Sequence, residues 1–121
     1  MKIDGREHEL PKNAVCLIAI IDGMESDVFP LEEGENLLGR WDPDTLSFPE
    51  VDLTSVDAEV KISRKHATID RDGDELILRD GGSRNGTFLK DGTRLNPGES
   101  HQLHDGVEFS LGKVRLRVKV G

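Results

Sequence analysis

The chain has 121 residues, a length that suits one domain able to bury about two thirds of the surface its unfolded chain exposes. Its formal net charge of -8 argues against a general nucleic-acid binder, because such proteins must neutralise many phosphates at once. Any anion site in this chain is therefore expected to be local.

Short β-leaning runs make up most of the sequence. Residues 1–13 come first, are polar and contain Pro11, and they predict a flexible N-terminal arm. A single domain is then expected over residues 14–121. Its predicted strands are Val15–Ile21, Val28–Leu31, Asn36–Leu38, Val51–Leu53, Ala67–Ile69, Glu75–Arg79, Thr87–Leu89, Thr93–Leu95, His101–Leu103, Val107–Leu111 and Val114–Val120. No run has the length and spacing of a convincing helix.

Turn residues separate these runs at regular intervals. The turn pairs are Asp22-Gly23, Asp72-Gly73, Asp91-Gly92, Pro97-Gly98 and Asp105-Gly106. In the last run, Val114–Val120, apolar residues alternate with basic ones, which is the period of a strand with one wet face. Short strands with regular turns predict an all-β fold, a β-sandwich of two sheets.

The one cysteine, Cys16, lies inside the apolar run Val15–Ile21, so an internal disulfide is impossible and a buried thiol is expected. The same run is too short to cross a bilayer, and the start of the chain lacks the features of a secretory signal. A cytoplasmic protein that does not act at a membrane is the prediction.

The segment from Trp41 to Lys61 departs from this pattern. It is acidic, contains Pro43 and Pro49, and is longer than most connections in compact domains. It is either a functional loop or a tolerated insertion. If it is an insertion, Trp41 and Phe48 are expected to pack it onto the sandwich.

Charge is distributed unevenly along the chain. Between Asp22 and Glu59 twelve acidic residues accompany one base, Arg40. From Lys61 to Arg94 eight bases outnumber six acids. A positive patch on an acidic body is the expectation.

Three short polar segments carry the chemistry of an anion site. They are Gly39-Arg40, Ser63-Arg64-Lys65-His66 and Ser83-Arg84-Asn85-Gly86-Thr87, each placed between predicted strands. Arginine offers a fork of N–H donors that matches phosphate oxygens, serine adds a hydroxyl donor, and glycine lets the backbone approach an anion. Three loops of this kind can converge on one phosphate group.

In this order, and within a β-only chain, the segments resemble those of a forkhead-associated (FHA) domain over about Val15 to Val120. The resemblance implies a sandwich of about eleven strands, similar to the FHA and SMAD folds, whose loops at one end bind phosphothreonine peptides. It implies a module for regulated protein–protein interaction in signalling, with a phosphothreonine-containing protein or peptide as the partner. The residues do not indicate an oligomeric state.

The resemblance also implies residue roles. Arg40 would clamp the phosphate, Ser63 would donate its hydroxyl, Arg64 and Arg84 would lie close to the phosphate, and Asn85 would hold the peptide backbone. Lys61 lies where the family can read the residue three places after the phosphothreonine, which predicts a preference for an acidic side chain there. Four residues would mainly keep the loops in shape: Gly39, His66, Gly86 and Thr87.

Each of these roles has a purely structural alternative. Arg40 could be a surface arginine paired with the surrounding carboxylates, and Lys61 could be a solvated lysine. Ser63 could bond local backbone, as serine readily does in turns. The fold itself could serve a partner without phosphate, as an interaction or self-assembly scaffold.

Catalysis and metal binding have little support in the residues. The segment around Ser83 suggests a nucleophile elbow, but Asn85 stands where that motif needs glycine. The segment Asp70–Glu75 has its glycine two places too early for a calcium loop. His66 has no metal-type pattern around it. We therefore expect no enzymatic activity, catalytic residue, metal or cofactor.

Overall fold

The computed structural model describes residues 14–121, in which it shows ten strands and no α-helix. The strands are β1 (Val15–Ile21), β2 (Met24–Pro30), β3 (Gly34–Gly39), β4 (Val51–Asp52), β5 (Ala67–Asp72), β6 (Glu75–Asp80), β7 (Thr87–Leu89), β8 (Ser100–Leu103), β9 (Glu108–Leu111) and β10 (Val114–Val120). A short 3₁₀ turn, Thr54–Val56, follows β4. Residues 14–121 contain no helix that could span a membrane. The predicted arm, 1–13, lies outside the described residues.

Two five-stranded sheets form the predicted sandwich. One has the order β2-β1-β10-β9-β7 and the other the order β4-β3-β5-β6-β8. The strand pairs are antiparallel except β3 and β4, which run parallel through Leu38 and Val51. Side chains from both sheets fill the core between them, including Leu17, Leu38, Ile69, Leu78, Phe109 and Leu116. The all-β, two-sheet prediction is confirmed.

The alternation predicted for the last strand is present in β10. Val114, Leu116 and Val118 are buried, whereas Arg115, between the first two of them, is exposed. On β1, which pairs with β10, Leu17 faces the core and Cys16 belongs to a second buried cluster on the other face of the strand. Burial raises the pKa of the Cys16 thiol. The prediction of a buried thiol is therefore confirmed.

One predicted strand, Thr93–Leu95, is not a strand in the structure. Only Arg94 pairs there, through an isolated bridge to Phe88. The chain has just reversed at the Asp91-Gly92 turn and leaves again toward Pro97, so the pairing with β7 does not extend into a ladder.

The aromatic residues of the long acidic segment do not pack it onto the sandwich, contrary to that expectation. Trp41 is 51% exposed and Phe48 is 56% exposed, and their ring centroids lie 6.4 Å apart. Carboxylates hold the segment instead. Asp42 Oδ1 accepts the backbone N–H of Asp44, and Asp52 Oδ1 accepts that of Trp41. Local side-chain to backbone bonds of this kind stabilise loops without a core of their own.

Candidate functional site

Three loops meet at one end of the sandwich and enclose a shallow cleft of about 380 Å³. The first loop follows β3, the second precedes β5, and the third connects β6 to β7. Six residues predicted for phosphopeptide binding line this cleft: Arg40, Lys61, Ser63, Arg64, Arg84 and Asn85. The structure therefore brings together side chains that lie up to 45 positions apart in the chain (85 − 40).

Arg40, directly after β3, is held by Asp57. Arg40 Nη1 donates to Asp57 Oδ2 over 3.0 Å, and the two side chains are 24% and 1% exposed. The alternative of a carboxylate-paired arginine is thus realised in this structure. It does not remove Arg40 from the cleft, because a guanidinium has five N–H donors and the ion pair with Asp57 uses one of them.

Asp57 is a site residue that sequence reasoning missed. Besides Arg40, its carboxylate accepts the backbone N–H of Lys61 over 2.8 Å and that of Ile62 over 2.9 Å. These bonds close the turn in which Val60 has a φ of 54°. Aspartates that accept backbone N–H groups of the following residues are common in loops, but the sequence around Asp57 does not distinguish it from the other acids of this segment.

The second and third loops are joined at Ser63. The Ser63 hydroxyl accepts the backbone N–H of Arg84 over 3.1 Å. A hydroxyl that accepts one bond still has its own proton to donate, so Ser63 remains able to donate to an anion in the cleft. This contact combines the predicted ligand role of Ser63 with the alternative of a local backbone bond.

His66 lies beneath this junction and is completely buried. Its Nδ1 accepts the backbone N–H of Ser63 over 3.0 Å, and its Nε2 lies 2.9 Å from the carbonyl of Gly86. Because Nδ1 accepts, the proton of the neutral ring is on Nε2, which donates to Gly86. Burial lowers the pKa of His66, although the bond to Gly86 acts in the opposite direction.

Asp80 organises the third loop from inside the protein. Its buried carboxylate accepts the hydroxyls of Ser83 and Thr87 over 2.6 and 2.7 Å, and the backbone N–H of Gly82 over 2.9 Å. Desolvation opposes ionisation, but these hydrogen bonds outweigh it and lower the pKa of Asp80. Ser83 Oγ in turn accepts the N–H of Gly86. Thr87 and Gly86 therefore lie in the framework behind the cleft.

Asn85 joins the third loop to the second. Its Nδ2 donates to the carbonyl of Lys61 over 2.9 Å, so one of its two amide hydrogens is already used inside the protein. Arg94, which the sequence did not single out, supports the same loop from outside. It lies 5.8 Å from the ring centroid of Phe88 and reaches the carbonyl of Arg84.

Gly39 allows the first two loops to meet. A Cβ placed on Gly39 would lie 1.8 Å from the carbonyl oxygen of Arg64, which no side chain can occupy. Arg64 itself reaches back to the first loop, with its Nη1 donating to Asp42 Oδ2 over 3.1 Å. Gly39 is therefore required by the close approach of two backbones.

The electrostatics of the cleft favour an anion. Three arginines and Lys61 line it, and no acidic residue among 14–121 does; Asp57 and Asp42, which pair with Arg40 and Arg64, lie outside the lining. A neighbouring depression of about 390 Å³ has acidic lining residues, Asp22 and Glu59 among them, and suits phosphate poorly. Residues 14–121 contain no cluster of side chains that could hold a metal ion.

Comparison with known proteins identifies the family. The model of the FHA domain matches residues 37–112, a range that contains all three polar segments. The chain belongs to the FHA domain family. Its two-sheet sandwich is the fold of this family, whose members are interaction modules.

Relatives at moderate identity come from different organisms. The chain is 31% identical over 107 residues to the oxoglutarate dehydrogenase inhibitor of Corynebacterium jeikeium, covering 88% of this chain and 65% of that protein. It is 40% identical over 65 residues to protein FraH of Nostoc, covering 54% of this chain and 22% of FraH. The chain thus spans less than two thirds of the length of these relatives.

Solved structures of FHA domains superpose on the chain. One comes from a structural and functional study of phosphothreonine-dependent FHA domain interactions, with a TM-score of 0.68 and 29% identity over 89% of this chain and 97% of that one. Another is the FhaA FHA domain in complex with the intracellular domain of Rv3910, with a TM-score of 0.66 and 30% identity over 87% of this chain and 99% of that one.

Proposed function

We propose that the chain is a phosphothreonine-binding module that recruits a phosphorylated partner protein in signalling, and that it is not an enzyme. The observation that carries the proposal is the convergence of Arg40, Ser63, Arg64 and Arg84 on one cleft of an otherwise acidic chain. The phosphothreonine-dependent interactions named for a related FHA structure support it. A cytoplasmic location suits such a role.

Each cleft residue has a role in the proposal. Arg40 donates its remaining N–H groups to the phosphate, Ser63 donates its hydroxyl, and Arg64 and Arg84 add positive charge. Asn85 bonds the peptide backbone through the part of its amide that the Lys61 carbonyl does not occupy. Gly39 and His66 act indirectly, since they hold the loops at the spacing that one phosphate requires.

The energetics fit a reversible interaction. Charge-assisted hydrogen bonds contribute roughly 1.5–3 kcal/mol each. Three or four of them together with the backbone contacts, less the cost of ordering the peptide, are consistent with about 8 kcal/mol, which corresponds to micromolar affinity. Aspartate has fewer oxygens and less charge than phosphate, so it is a poor substitute.

Calorimetric titration tests the proposal. Binding to a degenerate phosphothreonine library first selects the residues that flank the phosphothreonine. The peptide with these residues is then made in phosphothreonine, phosphoserine and unphosphorylated forms. The proteins are the wild type, Arg40→Ala and a matched control, Arg79→Ala. Arg79 is an exposed, ion-paired arginine on β6 outside the cleft.

We expect micromolar binding of the phosphothreonine form to the wild type and to Arg79→Ala, and a loss of at least tenfold in folded Arg40→Ala. Equal binding of the unphosphorylated form would instead assign the domain to the phosphate-independent scaffolds. Unfolding of Arg40→Ala would mark Arg40 as a structural residue, and Arg40→Lys, which keeps the charge without the planar fork, would then replace it in the titration.

A further inference from the structure

Three large apolar side chains stand exposed on the loop that follows β3, and we call them the apolar shelf. They are Trp41, Leu46 and Phe48, exposed by 51, 73 and 56%. Trp41 and Phe48 contact each other with their rings tilted by 48°. Leu46 is two residues from Phe48 on the same loop. Exposed apolar side chains that are grouped in this way mark an interaction surface more often than isolated ones do.

The apolar shelf belongs to a fastened loop. Asp42 and Ser47 exchange both backbone hydrogen bonds at 2.9 Å, and Ser47 is buried. The backbone N–H of Trp41 donates to Asp52 Oδ1 and also to Thr54 Oγ1. The shelf therefore presents its side chains without a large ordering cost.

Leu46 is exposed and also has an unfavourable backbone conformation. Its φ is 57°, in the left-handed region that is unfavourable for leucine. Its side chain is also the most exposed of the large apolar residues in the described part of the chain. A glycine or asparagine would adopt this backbone with less strain, so stability alone does not account for a leucine here.

The loop that carries the apolar shelf borders the phosphate cleft. Ser63 and Arg64 line the cleft, and they also line a neighbouring depression together with Thr45 and Ser47, the two residues that flank Leu46. Lys61 and Asn85 line the cleft but not that depression. Ser63 and Arg64 therefore lie between the Lys61 side of the cleft and the loop that carries the shelf.

We infer that the apolar shelf binds an apolar side chain of the phosphorylated partner, on the flank of the phosphothreonine that points away from Lys61. This inference rests on the proposed function. Asp44 and Glu50 are exposed on the same loop and repel acidic residues, so the flank that reaches the shelf carries an apolar residue without neighbouring acids. Any acidic residues of the partner segment are thus expected on the Lys61 side of the phosphothreonine, and the apolar residue on the other side.

A leucine scan tests the inference. The ligands are alanine-flanked phosphothreonine peptides in which one leucine occupies each position before and after the phosphothreonine in turn. We expect leucine to raise affinity by about tenfold at one or two positions, all on one flank, because that is the effect of burying about half a leucine side chain. Fluorescence anisotropy with labelled peptides measures it.

The variants are chosen to keep the fold. Leu46→Gly removes the side chain and suits the positive φ, and Phe48→Ser removes a second part of the apolar shelf. Both are expected to abolish the gain from leucine and to bind the all-alanine phosphopeptide like the wild type. Met24→Ser, an equally exposed apolar residue on β2 of the other sheet, is the control and keeps the gain.

The outcomes separate the inference from the proposed function. If the all-alanine phosphopeptide binds but leucine gives no gain, or the gain survives Leu46→Gly, the inference is overturned and the proposed function stands. If no phosphopeptide binds, both are overturned. Sedimentation velocity adds a further arm: a wild-type dimer that dissociates in Leu46→Gly would make the apolar shelf a contact between copies of the chain, against the inference.

Discussion

Arg40 and Asp57 are joined by an ion pair of 3.0 Å in which the carboxylate is almost fully buried and the arginine is partly exposed. The oxygen that receives Arg40 also accepts the backbone N–H of Ile62. Asp57 Oδ2 thus holds both Arg40 and the loop before β5, which forms one wall of the cleft. Burial of the carboxylate makes this arrangement costly to break, because its removal leaves a charged group and two N–H groups unpaired.

Asp57→Asn is expected to weaken both the fold and the cleft. The amide keeps the shape but replaces one oxygen by NH₂, so the bond of Lys61 or those of Arg40 and Ile62 are lost, and Arg40 has no charged partner in either case. We expect the free energy of unfolding to fall by about 2 kcal/mol. Phosphopeptide affinity of the folded variant is expected to fall about tenfold, because Arg40 loses its orientation. Urea denaturation and calorimetry measure the two effects.

Asp70→Asn provides the comparison for Asp57→Asn. Asp70 also pairs with an arginine, Arg79, but both side chains are nearly half exposed. An exposed pair contributes little, so neither stability nor affinity is expected to change by more than about 1 kcal/mol. Unchanged affinity in Asp57→Asn would show that Arg40 does not depend on Asp57 for its position.

Two glycines beside the cleft, Gly39 and Gly81, do not have a positive φ. Of the two, Gly39 is expected to tolerate alanine less well. The added methyl group would collide with the Arg64 carbonyl, and backbone cannot yield as a flexible side chain does. We expect a loss of about 3 kcal/mol in unfolding free energy and a displaced Ser63-Arg64 segment. Thermal denaturation measures the loss.

Gly81→Ala is the matched substitution for Gly39→Ala. There the nearest atom to the added Cβ is the Lys65 carbonyl oxygen at 3.1 Å, a contact that small shifts relieve. The cost is therefore expected to be clearly smaller. Similar losses for the two variants would mean that the loops adjust around Gly39 and that the close approach to Arg64 is not essential.

The sandwich was predictable because its signals are local. The alternation in Val114–Val120 follows from one buried face, and the turn pair Asp22-Gly23 stands where β1 and β2 are joined by a two-residue turn with positive φ at both positions. The cleft residues were predictable through the order of three motifs. Those motifs identify residues such as Arg40 but carry no information about their internal partners.

Asp57 could not be singled out, because it is one of twelve acids between Asp22 and Glu59 and only the folded chain buries it. The exposure of Trp41 and Phe48 was unpredictable for a related reason. Composition alone predicts that large aromatics are buried. In this loop the hydrogen bonds of Asp42 and Asp52 replace the packing that an aromatic anchor would provide.

Stability is expected to fall as the pH decreases from about 7 to 5, through His66. Its pKa is below the ordinary 6.5 in the folded protein, so the unfolded chain binds a proton at a pH where the folded protein does not. The contribution is fully present above pH 6.5 and is lost toward the lower folded pKa. The slope reaches at most about 1.4 kcal/mol per pH unit. Urea denaturation at several pH values measures it.

His66→Gln isolates this effect. The variant is destabilised at every pH because glutamine cannot reproduce both ring contacts, to Ser63 and Gly86. Its stability is expected to vary less than that of the wild type between pH 7 and 5. Carboxylates such as Asp80, whose pKa is lowered, lose their contribution as the pH falls below about 5, under the range in which His66 acts. Parallel pH profiles would rule out His66 as the cause.

Lys61→Glu is expected to reverse the charge preference at the third residue after the phosphothreonine. Lys61 lines the cleft on the Asn85 side, and its backbone is held by Asp57 and Asn85, so its side chain extends from a fixed point. An exposed charge pair contributes up to about 1 kcal/mol, which predicts up to about a fivefold preference for aspartate over lysine in the wild type. Peptide arrays with aspartate, alanine and lysine at that position measure it.

Lys119→Glu, on β10, is the control for Lys61→Glu, because it changes the net charge equally and is expected to keep the wild-type preference. If both variants respond alike, the preference reflects the overall field of the protein, and Lys61 does not read that position.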